Sequence, residues 1–298
     1  MLYYNLSTYL REKYGKRMKK ICIDGGFSCP NRDGKCGTGG CIYCGERGAG
    51  EHIDSAPTIT EQVRSALNGA KDDDGFIAYF QNFTNTYAPP EVLKKRYDEA
   101  LFDHRIKILA IGTRPDCIDE AIADLIAEYT KDREVWVELG LQTASDKTAE
   151  IINRGYKTEV FEKACKMLTD RGIRVVVHMI IGLPGEGMDD YKKTADYIAS
   201  HHPFGVKIHS IYVMEGTELA NLYYQKRYTP PTLDEYKAAA AYSIARMPAD
   251  TVIHRITGDC PRDMLIAPDW NTDKNEIIGA VTDTLKSNGW KQGSLNDI

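Results

Sequence analysis

A chain of 298 residues with 42% hydrophobic and 27% charged side chains has the composition of a globular protein, long enough for one large α/β domain or two medium ones. Its net charge of −5 argues against a general coat for nucleic acid, and no apolar run reaches the roughly 20 residues that span a bilayer. The N-terminal charges follow the short apolar part instead of preceding it, so the start does not read as a signal peptide and a cytoplasmic location is expected. The chain opens on a basic arm, residues 1–18. Arg11, Lys13, Lys16, Arg17, Lys19 and Lys20 face Glu12 alone, which suits a solvated, frayed segment or a footprint for a phosphate backbone.

Residues 19–24, KKICID, then read as a strand running straight into a cysteine-rich loop. Helical spacing follows at 58–71, with Thr58 or Thr60 as cap, and a strand at 75–81. A helix over 90–102 carries a permitted early proline. Strand 106–114, helix 117–131, strand 134–142 and a short helix at 145–153 come next. A helix over 158–172 stops at a glycine, and the continuous apolar run 173–184 reads as a strand buried on both faces. Helix 188–201 and strand 205–214 complete six strand–helix units. Residues 227–236 resemble a linker, and beyond it lie a helix (233–247), a strand (250–257) and a final helix (274–287).

Strands alternating with helices imply parallel strands with crossover connections. Polar or glycine-bearing tails sit at nearly every strand C-terminus: GGFSC, FQNFTNTY, GTRPD, ELGLQT and IIGLPGE. In an open sheet the site lies at one switch point, whereas a barrel gathers residues from most strands. The distribution favours a barrel.

Five of the eight cysteines fall between residues 22 and 44, and four lie within FSCPNRDGKCGTGGCIYC. A reducing compartment argues against disulfides, and the clustering favours a metal site. Cys41 and Cys44 form a C-x-x-C turn that lets two sulfurs face one ion or one cluster edge. With Cys29 and Cys36, four thiolates close a tetrahedral zinc site. Three thiolates on a [4Fe–4S] cluster instead leave one iron open. Spacing does not decide between these, although the second short-spaced pair common in zinc knuckles is missing. Cys117 and Cys165 suit core positions.

The loop, with Cys29, an eleven-residue gap and Cys41-Ile42-Tyr43-Cys44, resembles that of a radical S-adenosylmethionine (SAM) enzyme, in the branch related to the catalytic subunit of Elongator. Together with YFQNFTNTYAP, VELGLQTASD, INRGY, IIGLPGE, HSIYVMEGTELA and HRITGDCPRDMLIAPDW, it is similar to the YhcC/YtqA-like radical SAM family, in order and spacing from about residue 4 to residue 290. The resemblance implies a partial (β/α)6 TIM-type barrel over residues 19–226 with a C-terminal α/β extension over 227–298. It implies that Cys29, Cys41 and Cys44 hold a [4Fe–4S] cluster, that Tyr43 is the usual aromatic neighbour, and that Cys36 is a bystander. SAM would chelate the open iron and be cleaved to a 5′-deoxyadenosyl radical, with an electron donor such as flavodoxin or ferredoxin.

By the same resemblance Gln81, Thr84 and Asn85 stand in for the usual GGE stretch at the SAM amino group. Glu138, helped by Gln142, would take the ribose hydroxyls and Arg154 the carboxylate. Gly182 would let the backbone approach the adenine, flanked by His209, Tyr212 and Val213. Tyr156 departs from the histidine expected after INRG. Each residue also has a plain alternative: Glu138 an interior ion pair with Arg154, Gln142 and Thr143 helix caps, His178 a packed interior histidine, GLPGE a turn.

The family resemblance points to the wobble uridine of tRNA, with conversion of 5-carboxymethylaminomethyl-(2-thio)uridine to the 5-aminomethyl form. The basic arm and Arg255, Arg262 and Trp270 are candidate tRNA contacts. A radical SAM enzyme acting on a small metabolite or a protein, and a non-catalytic zinc-binding RNA adaptor, are the alternatives.

Overall fold

The computed structural model describes residues 1–48, 50, 53 and 58–296; residues 297 and 298 of the expected extension lie outside these. The N-terminal arm is folded. Asn5 accepts from Thr8 N–H to start helix α1 (Leu6–Tyr14), and Gly15 closes it at φ +68°. The expectation of a frayed arm fails because α1 has an apolar side: Tyr9 and Leu10 are buried.

The strand–helix series follows: β1 (Lys19–Ile23), α2 (Ile59–Leu67), β2 (Phe76–Phe80), α3 (Pro90–Ala100), β3 (Ile106–Thr113), α4 (Glu120–Glu128), β4 (Glu134–Gln142), α5 (Asp146–Ile151), α6 (Thr158–Thr169), β5 (Arg174–Ile181), α7 (Met188–Ser200) and β6 (Gly205–Ser210). The expected strand 205–214 divides: after Ser210 the chain turns, and β7 (Val213–Met214) starts a separate ladder. Helix α8 (Glu218–Tyr224) was not foreseen. The expected linker ends early, since a Thr232–Glu235 capping box starts α9 (Leu233–Arg246). Strands β8 (Val252–Arg255) and β9 (Leu265–Ala267) and helix α10 (Lys274–Ser287) complete the chain.

Seven strands form one parallel sheet in the order β1-β2-β3-β4-β5-β6-β8, so each strand pairs with its sequence neighbour and the extension adds the last strand. β1 and β8 do not pair with each other, which makes the sheet a curled half-barrel, and the segment before α1 borders β8, where Ile253 N–H donates to Tyr4 O at 2.8 Å. β7 and β9 pair antiparallel beside it.

Two apolar layers hold the sheet. Outward side chains such as Ile21, Ile23, Phe80, Leu109, Val137 and Val177 pack beneath the helices in the larger cluster. Inward side chains near the N-terminal strand ends (Ile77, Ile108, Trp136, Val176, Val252) pack with Tyr9 and Leu10 of α1. Helix α1 therefore plugs the base. Glu134 ties it down: Tyr9 Oη, Tyr14 Oη and Trp136 Nε1 each donate to it at 2.6 Å. Lys13 and Arg174 pair with the same carboxylate at 2.7 and 2.6 Å. Strand β5 is less uniformly buried than its apolar run suggests, because His178 and Ile180 face the interior cavity at the other end.

Candidate active site

The loop after β1 is anchored by side chains that its glycines leave room for. Asn31 is fully buried, and its amide donates to Asn153 O at 2.5 Å. Asn153 in turn donates to Gly40 O at 2.8 Å, and Ile42 N–H to Ile152 O at 3.1 Å. Arg32 donates to the carbonyls of Cys44 and Gly45 at 3.2 and 2.5 Å. Gly40 has φ +79°, and a Cβ there would meet Arg32 Nε at 2.9 Å. The loop is thus fastened to the turn after α5, and three thiols face inward.

A cavity of about 230 Å³ opens at the C-terminal ends of the strands. Cys29, Cys41, Cys44, Tyr43, Gln81, Thr84, Glu138, Gln142, Arg154, His209 and Tyr212 all line it. Cys36 does not; it is exposed and lies beside Asp116. The Cys41 thiol is drawn down to about 7 by its hydrogen bond with Cys44, which is itself pushed well up by the same bond.

Three expected residues lie away from the cavity wall. Asn85 is buried, and its Nδ2 donates to Phe80 O and Gly112 O at 3.2 and 2.7 Å, splicing β2 to β3. Gly182 has φ +107°, and a Cβ there would meet Ile211 and Pro231 at 2.4 and 2.7 Å, so its freedom serves packing. Val213 is buried in β7 opposite Ala267. Arg154 lines the cavity, yet its guanidinium is taken by main-chain carbonyls: Leu141 and Thr143 at 2.6 and 2.7 Å, Tyr156 at 3.0 Å.

Glu138 forms an interior ion pair, though with Lys207 and not with Arg154. Its Oε2 also accepts from Tyr79 Oη and meets His178 Nε2, each at 2.8 Å. Burial opposes its charge, but the Lys207 ammonium and the His178 bond prevail and hold the carboxyl well below the usual range. Burial brings Lys207 down to about 7 against the pull of Glu138. His178 is an interior histidine, as expected, and belongs to this polar cluster. Lys207 and Tyr79 were missed by the sequence reading, although each had a signal: Lys207 shares the inward parity of β6 with His209, and Tyr79 that of β2 with Gln81 just beyond its end. Tyr156 was met there only as a departure from the histidine expected after INRG. Tyr156 has its ring between Arg114 and Arg154, whose guanidinium carbons lie 4.9 and 4.6 Å from the ring centroid.

A family model described as the radical SAM superfamily matches residues 34–198, and one described as the radical SAM C-terminal domain matches residues 203–287. The chain belongs to the radical SAM superfamily. The uncharacterized protein YtqA of Bacillus subtilis (strain 168) is 36% identical over 98% of this chain and 92% of its own length. A tRNA uridine(34) acetyltransferase of Methanocaldococcus jannaschii is 32% identical over 59% of this chain, which covers 32% of that protein. The solved structure of archaeal Methanocaldococcus infernus Elp3 with an N-terminal deletion superposes at TM-score 0.72 with 20% identity, over 92% of this chain and 64% of that one. That likeness shows the fold: the parallel half-barrel of radical SAM enzymes.

Superfamily membership implies a [4Fe–4S] cluster and SAM, and the cavity fits both. Among the described residues no three His, Cys, Asp or Glu side chains converge on a single ion. A cubane asks for something else, one thiolate at each of three iron corners, and a cavity wall with three thiols and no fourth meets that need. Thr84 Oγ1, Glu138 Oε1 and His209 Nε2 are buried on the same wall with no partner among the described residues. Orphaned polar atoms cost roughly 1–3 kcal/mol each, so a wall carrying three suits a polar, hydroxyl-bearing ligand. No helix among the described residues is long and apolar enough to cross a membrane.

Proposed function

We propose that Cys29, Cys41 and Cys44 hold a [4Fe–4S] cluster, and that the protein is a radical SAM enzyme acting on the tRNA wobble uridine, converting the 5-carboxymethylaminomethyl side chain to 5-aminomethyl. The observation that carries the cofactor half is the convergence of these three thiols with the orphaned Thr84, Glu138 and His209 atoms on one cavity. The relative named as a tRNA uridine(34) acetyltransferase supports the substrate half. When bound, the cluster and SAM would supply a carbon radical able to take a hydrogen atom from the substrate methylene; loss of a further electron to an external acceptor and of the amine proton would give an imine, and its hydrolysis by water would break the N–C bond, releasing glyoxylate and leaving the 5-aminomethyl amine. The chain's own residues would do the rest of the positioning. Glu138 Oε1 and His209 Nε2 offer an acceptor and a ring nitrogen to ribose hydroxyls, and Tyr43 and Tyr212 wall off water beside the thiols.

The zinc adaptor is disfavoured because Cys36 is exposed and does not line the cavity with the other three thiols, and no single-ion site forms among the described residues. Deleting the basic arm would not separate a tRNA enzyme from a metabolite enzyme, since α1 plugs the barrel base.

The test is anaerobic. Protein reconstituted with iron and sulfide is reduced, given SAM, and assayed for 5′-deoxyadenosine, with iron content measured in parallel. Wild type and Cys36→Ala should form it, whereas Cys29→Ala and Cys41→Ala should lose both iron and product. Colourless protein holding one zinc would overturn the reading. The substrate half fails if tRNA from a deletion strain keeps normal levels of the aminomethyl-type base.

A further inference from the structure

The inner face of the half-barrel holds a second polar feature, which shares Tyr79 and Glu138 with the thiol-lined cavity. Lys20 of edge strand β1 places Nζ 4.5 Å from the centroid of the Tyr79 ring, and Lys207 places its Nζ 4.5 Å from the same centroid. Arg255 of edge strand β8 stands opposite Lys207 in the ladder. Both Lys20 and Arg255 depress the Lys207 ammonium by repulsion, after burial, so the three cations feel one another. Few anions answer them. Glu138 Oε2 is already shared by Lys207, His178 and Tyr79. Asp259 meets Arg255 at 3.2 Å and Lys274 at 2.8 Å. Lys20 has no ion pair among the described residues and is exposed, as is Cys22 two residues on. An edge lysine can serve simply to deter strand pairing. This one instead leans inward over Tyr79, beside two further cations from β6 and β8.

We propose that the seam between β1 and β8 is a subsite for a carboxylate of the substrate, clamped between Lys20 and Arg255, with Tyr79 and Glu138 as the wall shared with the thiol-lined cavity. Asp259 answers Arg255, but Lys20 has no carboxylate partner among the described residues, so the two edges carry an excess of positive charge that an added anion would neutralise. The shared wall sets that anion next to the place where the hydrogen atom would be taken. Which carboxylate it is rests on the function proposed above, where the substrate side chain ends in a carboxymethyl group. A tRNA phosphate has the same charge and is the competing source.

Two experiments on the reconstituted protein under argon separate these. In the first, Cys22 reports the field without any substrate. Its alkylation by iodoacetate and by iodoacetamide is followed by peptide mass mapping. The iodoacetate-to-iodoacetamide rate ratio at Cys22 should exceed that of an unfolded peptide of the same sequence by about tenfold. It should fall to the peptide value in a Lys20→Gln/Arg255→Gln variant whose circular dichroism is unchanged. A ratio equal to the peptide's in the wild type overturns the subsite. In the second, binding of 5-carboxymethylaminomethyluridine is compared with that of 5-aminomethyluridine. The carboxylate-bearing nucleoside should bind about tenfold tighter, a difference of 1.4 kcal/mol, and the double variant should erase the difference. Discrimination that survives in the variant overturns the clamp. Loss of discrimination in the wild type, with inorganic phosphate blocking iodoacetate at Cys22, assigns the subsite to a phosphate and overturns the carboxylate. If neither nucleoside binds while the Cys22 ratio behaves as expected, the uridine reading fails and the anion subsite stands.

Discussion

At the scale of single residues, Glu138 and Lys207 show how a half-barrel carries charge in its interior. Neither is tolerable alone: an unpaired ion there costs several kcal/mol, and together they satisfy one another through Oε2 and Nζ with Tyr79 and His178 in support. Lys207→Met should therefore cost about 3–5 kcal/mol by urea unfolding, because it strands the Glu138 carboxylate. Adding Glu138→Gln should recover part of that loss. Equal, additive losses in the double variant would show that the pair is not coupled. Gly40 makes a second residue-scale case. At φ +79°, with a Cβ placed 2.9 Å from Arg32 Nε, Gly40→Ala combines backbone strain with displacement of the side chain that fastens the cysteine loop. Strain of about 1–3 kcal/mol is expected, and it should appear as lower iron content after reconstitution rather than as global unfolding.

At the scale of elements, α1 decides what the N-terminal cations can do. Lys13 is held by Glu134 beneath the barrel, at the opposite strand ends from the thiols, so the helix is a plug before it is any tRNA contact. Removing residues 1–15 should expose Trp136 and Val176 and give an aggregating protein, as read by light scattering; a soluble, native-like truncation would contradict this. The Glu134 carboxyl is lowered: burial opposes its charge, but Lys13, the two tyrosines and Trp136 outweigh it. A carboxyl lowered in the folded state stabilises above its unfolded value, about 4.3, and that contribution is lost as pH falls through the folded value. Glu134→Gln should accordingly lower Tm at neutral pH and differ less from wild type as the pH falls below about 4. A constant difference between pH 7 and pH 3 would argue against the carboxylate as the tie.

At the scale of the whole molecule, the sheet is built by chain neighbours; β1 and β8 are its two edges, and β8 is bridged on its outer side by Asn5 at Ile253. This arrangement provides one end with thiols, a plugged opposite end, and a lateral seam. Much of it was legible. Apolar runs separated by helical spacing gave the strand–helix series, since burial on both faces of a parallel sheet demands near-continuous apolar strands. Polar tails at strand ends located the cavity, because chain leaving a buried strand is where side chains are released from packing.

What the sequence determined by itself was periodic or local: the strand and helix series, the cysteine spacing, and the polar tails at the strand ends, while Glu138, Gln142 and His209 were expected together through the family resemblance and line one cavity. What only the tertiary structure decided was long-range. Asn85 and Gly182 carry polar or permissive chemistry in sequence, yet one splices two strands and the other makes room for Ile211 and Pro231. Arg154 meets carbonyls at Leu141 and Thr143, and Glu138 finds Lys207 from two strands away, with β5 between them. The residues at 6–14 become a plug only because a barrel base exists to receive Tyr9 and Leu10. Hydrophobic period and turn chemistry act over a few residues, whereas the partner of a buried charge is chosen by the curled sheet, and no local pattern encodes it.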